Sequence, residues 1–209
     1  MAIKLNGSTS GSVALDAPAD TSPSGTDVTL TLPTSAGSSG QYLQTDGSGT
    51  LSWQTITTGK VLQVVYGSTA TTFSTTNAIP TDDTIPQNTE GTEFLTQAIT
   101  PVSASSDLII QVNCPFVGMD GLGNNVVSLF VDSTADALAT ASTVVGANGW
   151  EEVLTLVHKV ASSSTTERTY KARFGPNSSS RTSYLNRASG GRRHGGTLIT
   201  SICIYEVLP

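Results

Sequence analysis

Two pairs of neighbouring acids are the first side chains in this sequence that could do chemistry. Asp82–Asp83 and Glu151–Glu152 supply the carboxylates that a glycosidase places on either side of one substrate. Neighbouring residues of an extended strand point to opposite faces, however, so adjacency alone does not bring two carboxylates onto one substrate. The pairs are therefore expected in solvated loops or at a contact between subunits.

Histidine and cysteine each occur twice. His158 and His194 complete no Ser–His–acid or Cys–His arrangement in sequence order, and with the separated Cys114 and Cys203 they form no zinc motif. Both cysteines lie in apolar strand patterns, LIIQVNCPF and LITSICIYEV, which predicts buried free thiols, although a bridge between them is left open. Calcium-loop and phosphate-loop spacings are not found either. We expect a protein that is not an enzyme, with no catalytic residue, metal or cofactor.

A run of basic residues near the carboxyl terminus is the strongest electrostatic feature. Residues 1–158 hold two basic against fourteen acidic side chains, residues 159–209 hold eight against two, and the whole chain has a formal net charge of −6. An acidic chain without a nucleic-acid recognition fold is not expected to bind DNA or RNA. The run comprises Arg168, Lys171, Arg173, Arg181, Arg187, Arg192 and Arg193.

Two roles for this basic run stay open. In an oligomer the bases would pair with acids of a neighbouring subunit through charge-assisted hydrogen bonds. Alternatively they would face outward, toward an acidic surface such as lipopolysaccharide phosphates or a capsid shell. The acids considered as intersubunit partners are Asp82, Asp83, Glu90 and Glu93.

A series of short apolar strands begins at residue 60. These strands must position the acidic, basic, histidine and cysteine side chains described above. Their number and spacing are typical of an antiparallel jelly roll or a related β-sandwich, and we assign residues 60–209 to such a C-terminal knob. The stretch 134–145 has weak helical spacing and is expected to be a short helix or a loop. The predicted strands are 61–66, 94–99, 107–117, 125–131, 153–160, 169–174, 182–186 and 197–207.

Residues 1–58 have few large apolar side chains and are separated from the knob by a hinge at 57–59. Within them, 28–53 predicts a strand at 28–32, a Gly/Ser turn, a second strand, a DGSG turn and a third strand that ends on Trp53. A chain below about 40 to 60 residues rarely closes its own core without disulfides or partners. We therefore predict an extended β-hairpin stalk that other chains complete. The residues predicted to mediate this oligomerisation are Val28, Leu30, Leu32, Leu43, Leu51 and Trp53.

The order of several stretches carries a family resemblance. LNGSTSGSVALDAPA is followed by DVTLTLPTSAGSSGQYLQTDGSGTLSW, and the knob adds KVLQVVYGST, AITPVSASSDLII, TYKARF and TLITSICIYEV. Together they resemble structural proteins of tailed-bacteriophage virions, especially fibre and knob proteins of phages that infect cyanobacteria and marine bacteria. The resemblance implies an all-β homotrimer without catalytic activity that sits on a tail or decorates a capsid. The Arg-rich loop RTSYLNRASGGRRHGG departs from that pattern.

Three functions follow as expectations. The first is a short homotrimeric tail fibre, whose partners are its own copies, other virion proteins and a glycan of the host cell surface. The second is a capsid decoration or cement protein, and the third is a carbohydrate-binding module in which Trp150 is a candidate contact. No stretch approaches the roughly 20 apolar residues of a membrane span, and the first residues lack the apolar run of a secretory signal. Assembly in a host cytosol into a virion, without membrane insertion, is expected.

Overall fold

The computed structural model of the chain describes residues 3–6, 12–15, 25, 27–55, 61–146 and 151–209. The chain divides into two compact units, Met1–Thr57 and Thr58–Pro209, which are described separately. The fold is all-β, as predicted, and its paired strands run antiparallel. The predicted hinge at 57–59 and the candidate Trp150 lie outside the described residues.

The first unit contains two hairpins. Its strands are β1 (Ile3–Asn6), β2 (Ser12–Leu15), β3 (Gln41–Thr45) and β4 (Leu51–Thr55). β1 pairs with β2. β3 pairs with β4 across the DGSG turn, and these two strands confirm two of the three predicted in 28–53.

The predicted strand at 28–32 is wrong as a regular strand. Only Thr31 pairs, in a parallel bridge to Thr50, with hydrogen bonds from Thr31 N to the Gly49 oxygen and from Leu51 N to the Thr31 oxygen, both 2.8 Å. The segment passes the hairpin turn rather than running along β4, and Pro33 has no N–H with which to extend the pairing.

The second unit contains all eight predicted strands, with ends shifted by a few residues, and several short additional ones. They are β5 (Val61–Thr69), β6 (Phe73–Thr75), β7 (Thr92–Ile99), β8 (Asp107–Met119), β9 (Gly123–Val131), β10 (Ala139–Val145), β11 (Glu151–Ala161), β12 (Arg168–Pro176), β13 (Ser183–Leu185), β14 (Arg187–Ala188), β15 (Gly191–Arg192) and β16 (Thr200–Val207). A 3₁₀ turn, His194–Gly196, precedes β16.

The long strands form two antiparallel sheets. The first sheet has the order β5-β16-β8-β11, and the second has the order β10-β9-β12-β7. β11 pairs with one edge of β8. The other edge of β8 pairs with β16 along its first half and with β13 at its end. Numbered one to eight along the chain, the long strands read 1-8-3-6 and 5-4-7-2, which is the double Greek key of a jelly roll.

The fifth of these long strands corrects the prediction for 134–145. Ala139–Val145 is a strand, β10, paired with β9, and not a helix. Ala139 and Ala141 face the core and Val145 is buried, whereas Thr140 and Val144 are exposed. This period of two, with β-branched Thr and Val, suits a sheet edge better than a helix.

The core lies between the two sheets. Alternate residues of β8 and β16 point inward against Val127, Leu129 and Val131 of β9 and against Tyr170, Ala172 and Phe174 of β12. Phe94 meets Phe174 edge to face, with ring centroids 6.2 Å apart. Each such side chain contributes about 1.5 to 3 kcal/mol when fully buried. The inward residues of β8 and β16 are Leu108, Ile110, Val112, Cys114, Ile202 and Ile204.

The prediction for the two cysteines is confirmed in part. Both are free thiols, and Cys114 is buried in the core, where burial raises the pKa of its thiol to about 12. Cys203 is only half-buried, because it alternates with Ile202 and Ile204 and therefore points away from the core.

A loop covers the outer side of the second sheet. Val126 and Phe130 alternate with the core residues of β9, yet they are only 2 % and 1 % exposed. Loop 76–91 lies over them: Ile79 is fully buried, and a Cβ placed on Gly175 would collide with the backbone oxygen of Asn77. The Arg173 guanidinium holds this loop down, with hydrogen bonds of 2.6 and 2.9 Å to backbone oxygens of residues 90 and 91.

A buried carboxylate fixes one end of the first sheet. Glu206 is fully buried and accepts hydrogen bonds from the Ser106 hydroxyl and the Gln63 amide, both 2.6 Å, and from the backbone N–H groups of Val102 and Ser103, both 2.9 Å. Burial raises the pKa of this carboxyl, but the four hydrogen bonds outweigh burial and leave the pKa below its usual value. The carboxylate thereby ties loop 100–106 to the last strand.

Candidate functional site

The first unit exposes most of its apolar side chains. None of the described residues between 27 and 55 is buried. Five large apolar side chains of this segment are exposed to solvent, and we call them the stalk surface. They are Val28 (63 % exposed), Leu30 (58 %), Leu32 (68 %), Tyr42 (43 %) and Leu43 (43 %).

The stalk surface is carried on an ordered framework rather than on a loose chain. The indole Nε1 of Trp53 donates a 2.7 Å hydrogen bond to the Ser35 carbonyl oxygen. The ring lies against Gly37, whose φ is +72°, and a Cβ on that glycine would come within 2.6 Å of the ring. Ser38 and Gln41 close the same turn with hydrogen bonds of 2.7 and 3.1 Å. The Gly/Ser turn is thus folded around Trp53.

The turn between β3 and β4 is fixed by Asp46. Its carboxylate accepts hydrogen bonds from the Ser48 N–H and hydroxyl, both 2.8 Å, and from the Thr50 N–H at 3.1 Å. The Ser48 backbone and hydroxyl bonds are the main reason that the pKa of Asp46 lies below its usual value, with burial opposing them. The framework therefore holds exposed apolar groups in fixed positions, which lowers the entropy lost when a partner covers them.

The six residues predicted to mediate oligomerisation fall into two groups. Leu51 and Trp53 of β4 are half-buried within their own copy. The remaining four are exposed and belong to the stalk surface: Val28, Leu30, Leu32 and Leu43.

The predicted basic run is divided between two places. Arg168, Lys171 and Arg173 lie on β12, where Arg168 pairs with Asp132 at 2.7 Å and Arg173 lies 3.9 Å from Glu93. Glu93, one of the acids considered as an intersubunit partner, therefore already has a partner in its own chain.

The rest of the basic run follows β12, in the short strands β14 and β15 and in the loops beside them. Arg187 begins β14, and its guanidinium lies 5.3 Å from the centre of the Tyr184 ring. Arg192 ends β15 and lines a shallow cavity of about 420 Å³ with residues 70–72. Arg181 lies against Gly121, and Arg193 is the residue before the 3₁₀ turn.

The side chains first considered for catalysis are dispersed. Asp82 accepts hydrogen bonds from its neighbour Thr84, and Glu151–Glu152 begins β11. His158 lies within β11, and His194 lies in the 3₁₀ turn. Among the described residues, no group of three or more His, Cys, Asp and Glu side chains could hold a metal ion. The same residues contain no helix that is long and apolar enough to cross a membrane.

A second apolar surface was missed from the sequence. It lies on the side of the first sheet that faces away from the core, and we call it the outer face. The sequence does contain its signal, since VLQVVY and TSICIYEV place apolar residues at both alternating positions, whereas a strand with one wet side alternates apolar with polar. Its apolar members are Val64, Tyr66, Ile109, Val157, Cys203 and Tyr205.

Comparisons with known proteins assign no family to the chain. No protein-family model matches the chain, and no curated protein sequence matches it. A solved structure of the C-terminal domain of EclA, a sugar-binding protein, aligns with 15 % identity over 55 % of this chain and 73 % of that chain, with a TM-score of 0.33. A similarity at that level carries no argument about function.

Proposed function

We propose that the chain is a non-enzymatic structural protein of a tailed-phage virion, and specifically a short homotrimeric tail fibre. In this proposal residues 1–58 form the stalk and residues 60–209 form a knob that contacts the host surface. The observation that carries it is the stalk surface, where segment 28–32 and the β3–β4 hairpin present their large apolar side chains to solvent in a single copy. The sequence resemblance to fibre and knob proteins supports the virion context.

Contact between copies would bury the apolar side chains that the first unit leaves exposed. Side chains exposed to the extent of Val28, Leu30 and Leu32 would each contribute about 1 to 2 kcal/mol when covered. The five side chains of the stalk surface together would contribute roughly 5 to 10 kcal/mol per chain before ordering entropy is subtracted. A symmetric assembly of identical chains provides such cover because each copy presents the same groups.

Sedimentation equilibrium of the full chain tests this proposal. We expect a trimer at micromolar concentration for the native sequence and dissociation for a Leu30→Asp, Leu32→Asp variant. The matched control, Thr29→Asp with Thr34→Asp, adds the same charge at exposed polar positions nearby and should remain trimeric. A native chain that is monomeric under these conditions would contradict the proposal.

Position on the particle separates the fibre from its alternative, a capsid decoration protein. Electron microscopy of virions labelled with an antibody to residues 60–209 should place the label at the tail. Label over the head would favour the capsid alternative.

The cavity beside Arg192 is the place where the third function, carbohydrate binding, can be tested. It is lined by the side chains and backbone of Ala70, Thr71, Thr72 and Arg192, which offer hydrogen-bond donors and acceptors. Glycan-array binding by the native chain that is lost in Arg192→Ala would favour this function. An unchanged glycan profile would remove the cavity from consideration.

A further inference from the structure

The outer face is built from two complete rows of side chains across four strands. β5, β16, β8 and β11 lie side by side, and their register brings residues of the same row together. The first row is Val64, Tyr205, Ile109 and Lys159. The second row is Tyr66, Cys203, Gln111 and Val157.

These rows are open to solvent within one copy. Val64 is 51 % exposed, Tyr66 is 60 % exposed and Val157 is 61 % exposed. On the corresponding side of the second sheet, Val126 and Phe130 of the inner strand β9 are buried and loop 76–91 carries the fully buried Ile79, whereas Val144 of the edge strand β10 stays exposed. The inner strands of the two sheets therefore differ, because Ile109 and Cys203 on the outer face of the first sheet are only half-buried.

The charge on the outer face is balanced. Lys159 and Asp107 form a 2.7 Å ion pair at one end, and the row beyond Gln111 consists of uncharged polar side chains, with Thr155 bonded to Asn113 at 3.1 Å. A face without net charge does not repel an identical face, whereas a charged partner would find no opposite charge to pair with. This matters because the whole chain carries a net charge of −6.

The size of the outer face suits a specific contact. Four strands spaced at about 4.8 Å, each contributing eight residues that rise about 3.4 Å, cover about 500 Å². Three copies that turn this face toward one another in a trimer would together contribute about 1,500 Å², above the lower bound of about 1,000 Å² for a specific interface. The presence of two tyrosines and the lack of net charge match the composition of interface centres.

We propose that the outer face of the first sheet is buried against another copy of this chain. This inference rests on the proposed self-association and deepens it, because it names a contact between knobs in addition to the stalk surface. The outward side of the β5-β16-β8-β11 sheet then becomes interior in the assembly.

The two cysteines provide the test. Cys203 lies in the second row of the outer face, whereas Cys114 is fully buried in the sandwich core and serves as an internal negative control. The full chain is treated with a maleimide reagent at concentrations where sedimentation shows the oligomer. We expect Cys203 to react at least tenfold more slowly than in a Val157→Arg variant, and a Cys203→Ser variant assigns the signal.

A matched control separates a specific effect from added charge. Ile85 is 57 % exposed on the loop that covers the second sheet, so Ile85→Arg should leave both the oligomer and the slow labelling of Cys203 unchanged. Tyr66→Arg should behave like Val157→Arg, and circular dichroism confirms that each variant keeps its β-structure.

The outcomes distinguish the two proposals. If the native oligomer forms but Cys203 reacts as fast as in Val157→Arg, the outer face is free and this inference is wrong, although self-association stands. If the native chain forms no oligomer at any accessible concentration, both the inference and the proposed function fail.

Discussion

Trp53 donates its indole N–H to the carbonyl oxygen of Ser35 at 2.7 Å, and this bond joins β4 to the Gly/Ser turn that precedes β3. The ring also lies against Gly37. One aromatic side chain thus fixes the turn and the hairpin relative to each other, although no described residue between 27 and 55 is buried. Hydrogen bonds and this ring contact, rather than burial, define the local geometry here.

Replacement of Gly37 tests this contact. Gly37 and Gly40 both have positive φ, +72° and +83°, so Ala at either position costs about 1 to 2 kcal/mol of backbone strain. Only at Gly37 would the new Cβ also collide with Trp53. We expect the Trp53 indole N–H, followed by NMR, to exchange faster with solvent in Gly37→Ala than in Gly40→Ala. Equal exchange rates would show that the contact does not hold the ring.

Acid should destabilise the sandwich through Glu206. Its folded pKa is lowered, so its contribution to stability is complete above the unfolded pKa of about 4.3 and is lost as pH falls through the folded pKa. A Glu206→Gln variant should lose about 1 to 3 kcal/mol at neutral pH, because an amide N–H₂ meets buried donors. Its stability should also depend less on pH below 4.5 than that of the native chain, measured by urea unfolding. Glu167→Gln, at an exposed position, serves as the control and should behave as native.

Asp132 should stabilise the sandwich through its backbone conformation as well as through its charge. Its φ is +53°, and its carboxylate accepts a 2.7 Å hydrogen bond from Arg168 and a 2.8 Å hydrogen bond from the Thr169 N–H. Asp132→Ala loses both bonds and adopts a disfavoured conformation, for a loss of about 1 to 3 kcal/mol. Asp132→Asn tolerates this φ and keeps an acceptor, so calorimetry should show a smaller decrease in Tm. An Asn variant as unstable as the Ala variant would mean that charge alone matters.

The basic residues of β12 are expected to act within their own chain. Arg173→Lys removes the forked bonds to the backbone oxygens of residues 90 and 91, and it should destabilise the sandwich by about 1 to 3 kcal/mol. Arg193→Lys, on the loop before the 3₁₀ turn, should change stability by less than about 0.5 kcal/mol. Thermal unfolding of the two variants gives the comparison. Equal stability of the two variants would leave Arg173 without a structural role.

The sandwich was predictable where burial follows a period of two. β8 alternates inward and outward residues over most of its length, and its sequence predicts a strand from 107 to 117 without knowledge of its neighbours. β10 was missed because Ala and Thr are small and its edge position exposes every second residue, so its pattern is weak. The eight predicted strands include 182–186, which is the short β13, and omit β10, so the jelly-roll strand order is defined only once β10 is seen to pair with β9.

Other features depend on residues far apart in the chain. The covering loop is recognisable only when Arg173 meets the backbone at residues 90 and 91, and Gly175 meets Asn77. The division of the basic run also follows from folding, since seven bases close in sequence are divided between β12, the short strands β14 and β15, and the loops beside them. The strand predicted at 28–32 failed for the opposite reason: its alternation is real, but the chain offers it a partner at Thr50 alone.

Hydrogen exchange of the first unit, followed against protein concentration, measures whether other copies complete the stalk. We expect backbone amides of β3 and β4 to exchange rapidly when the full chain is dilute, and their protection to rise with concentration in step with the trimer seen by sedimentation. Amides of β8 in the sandwich core provide the internal reference and should be protected throughout. Equal protection of β3 and β4 at concentrations where the chain is monomeric would show that a single copy completes its own stalk, and would contradict the account.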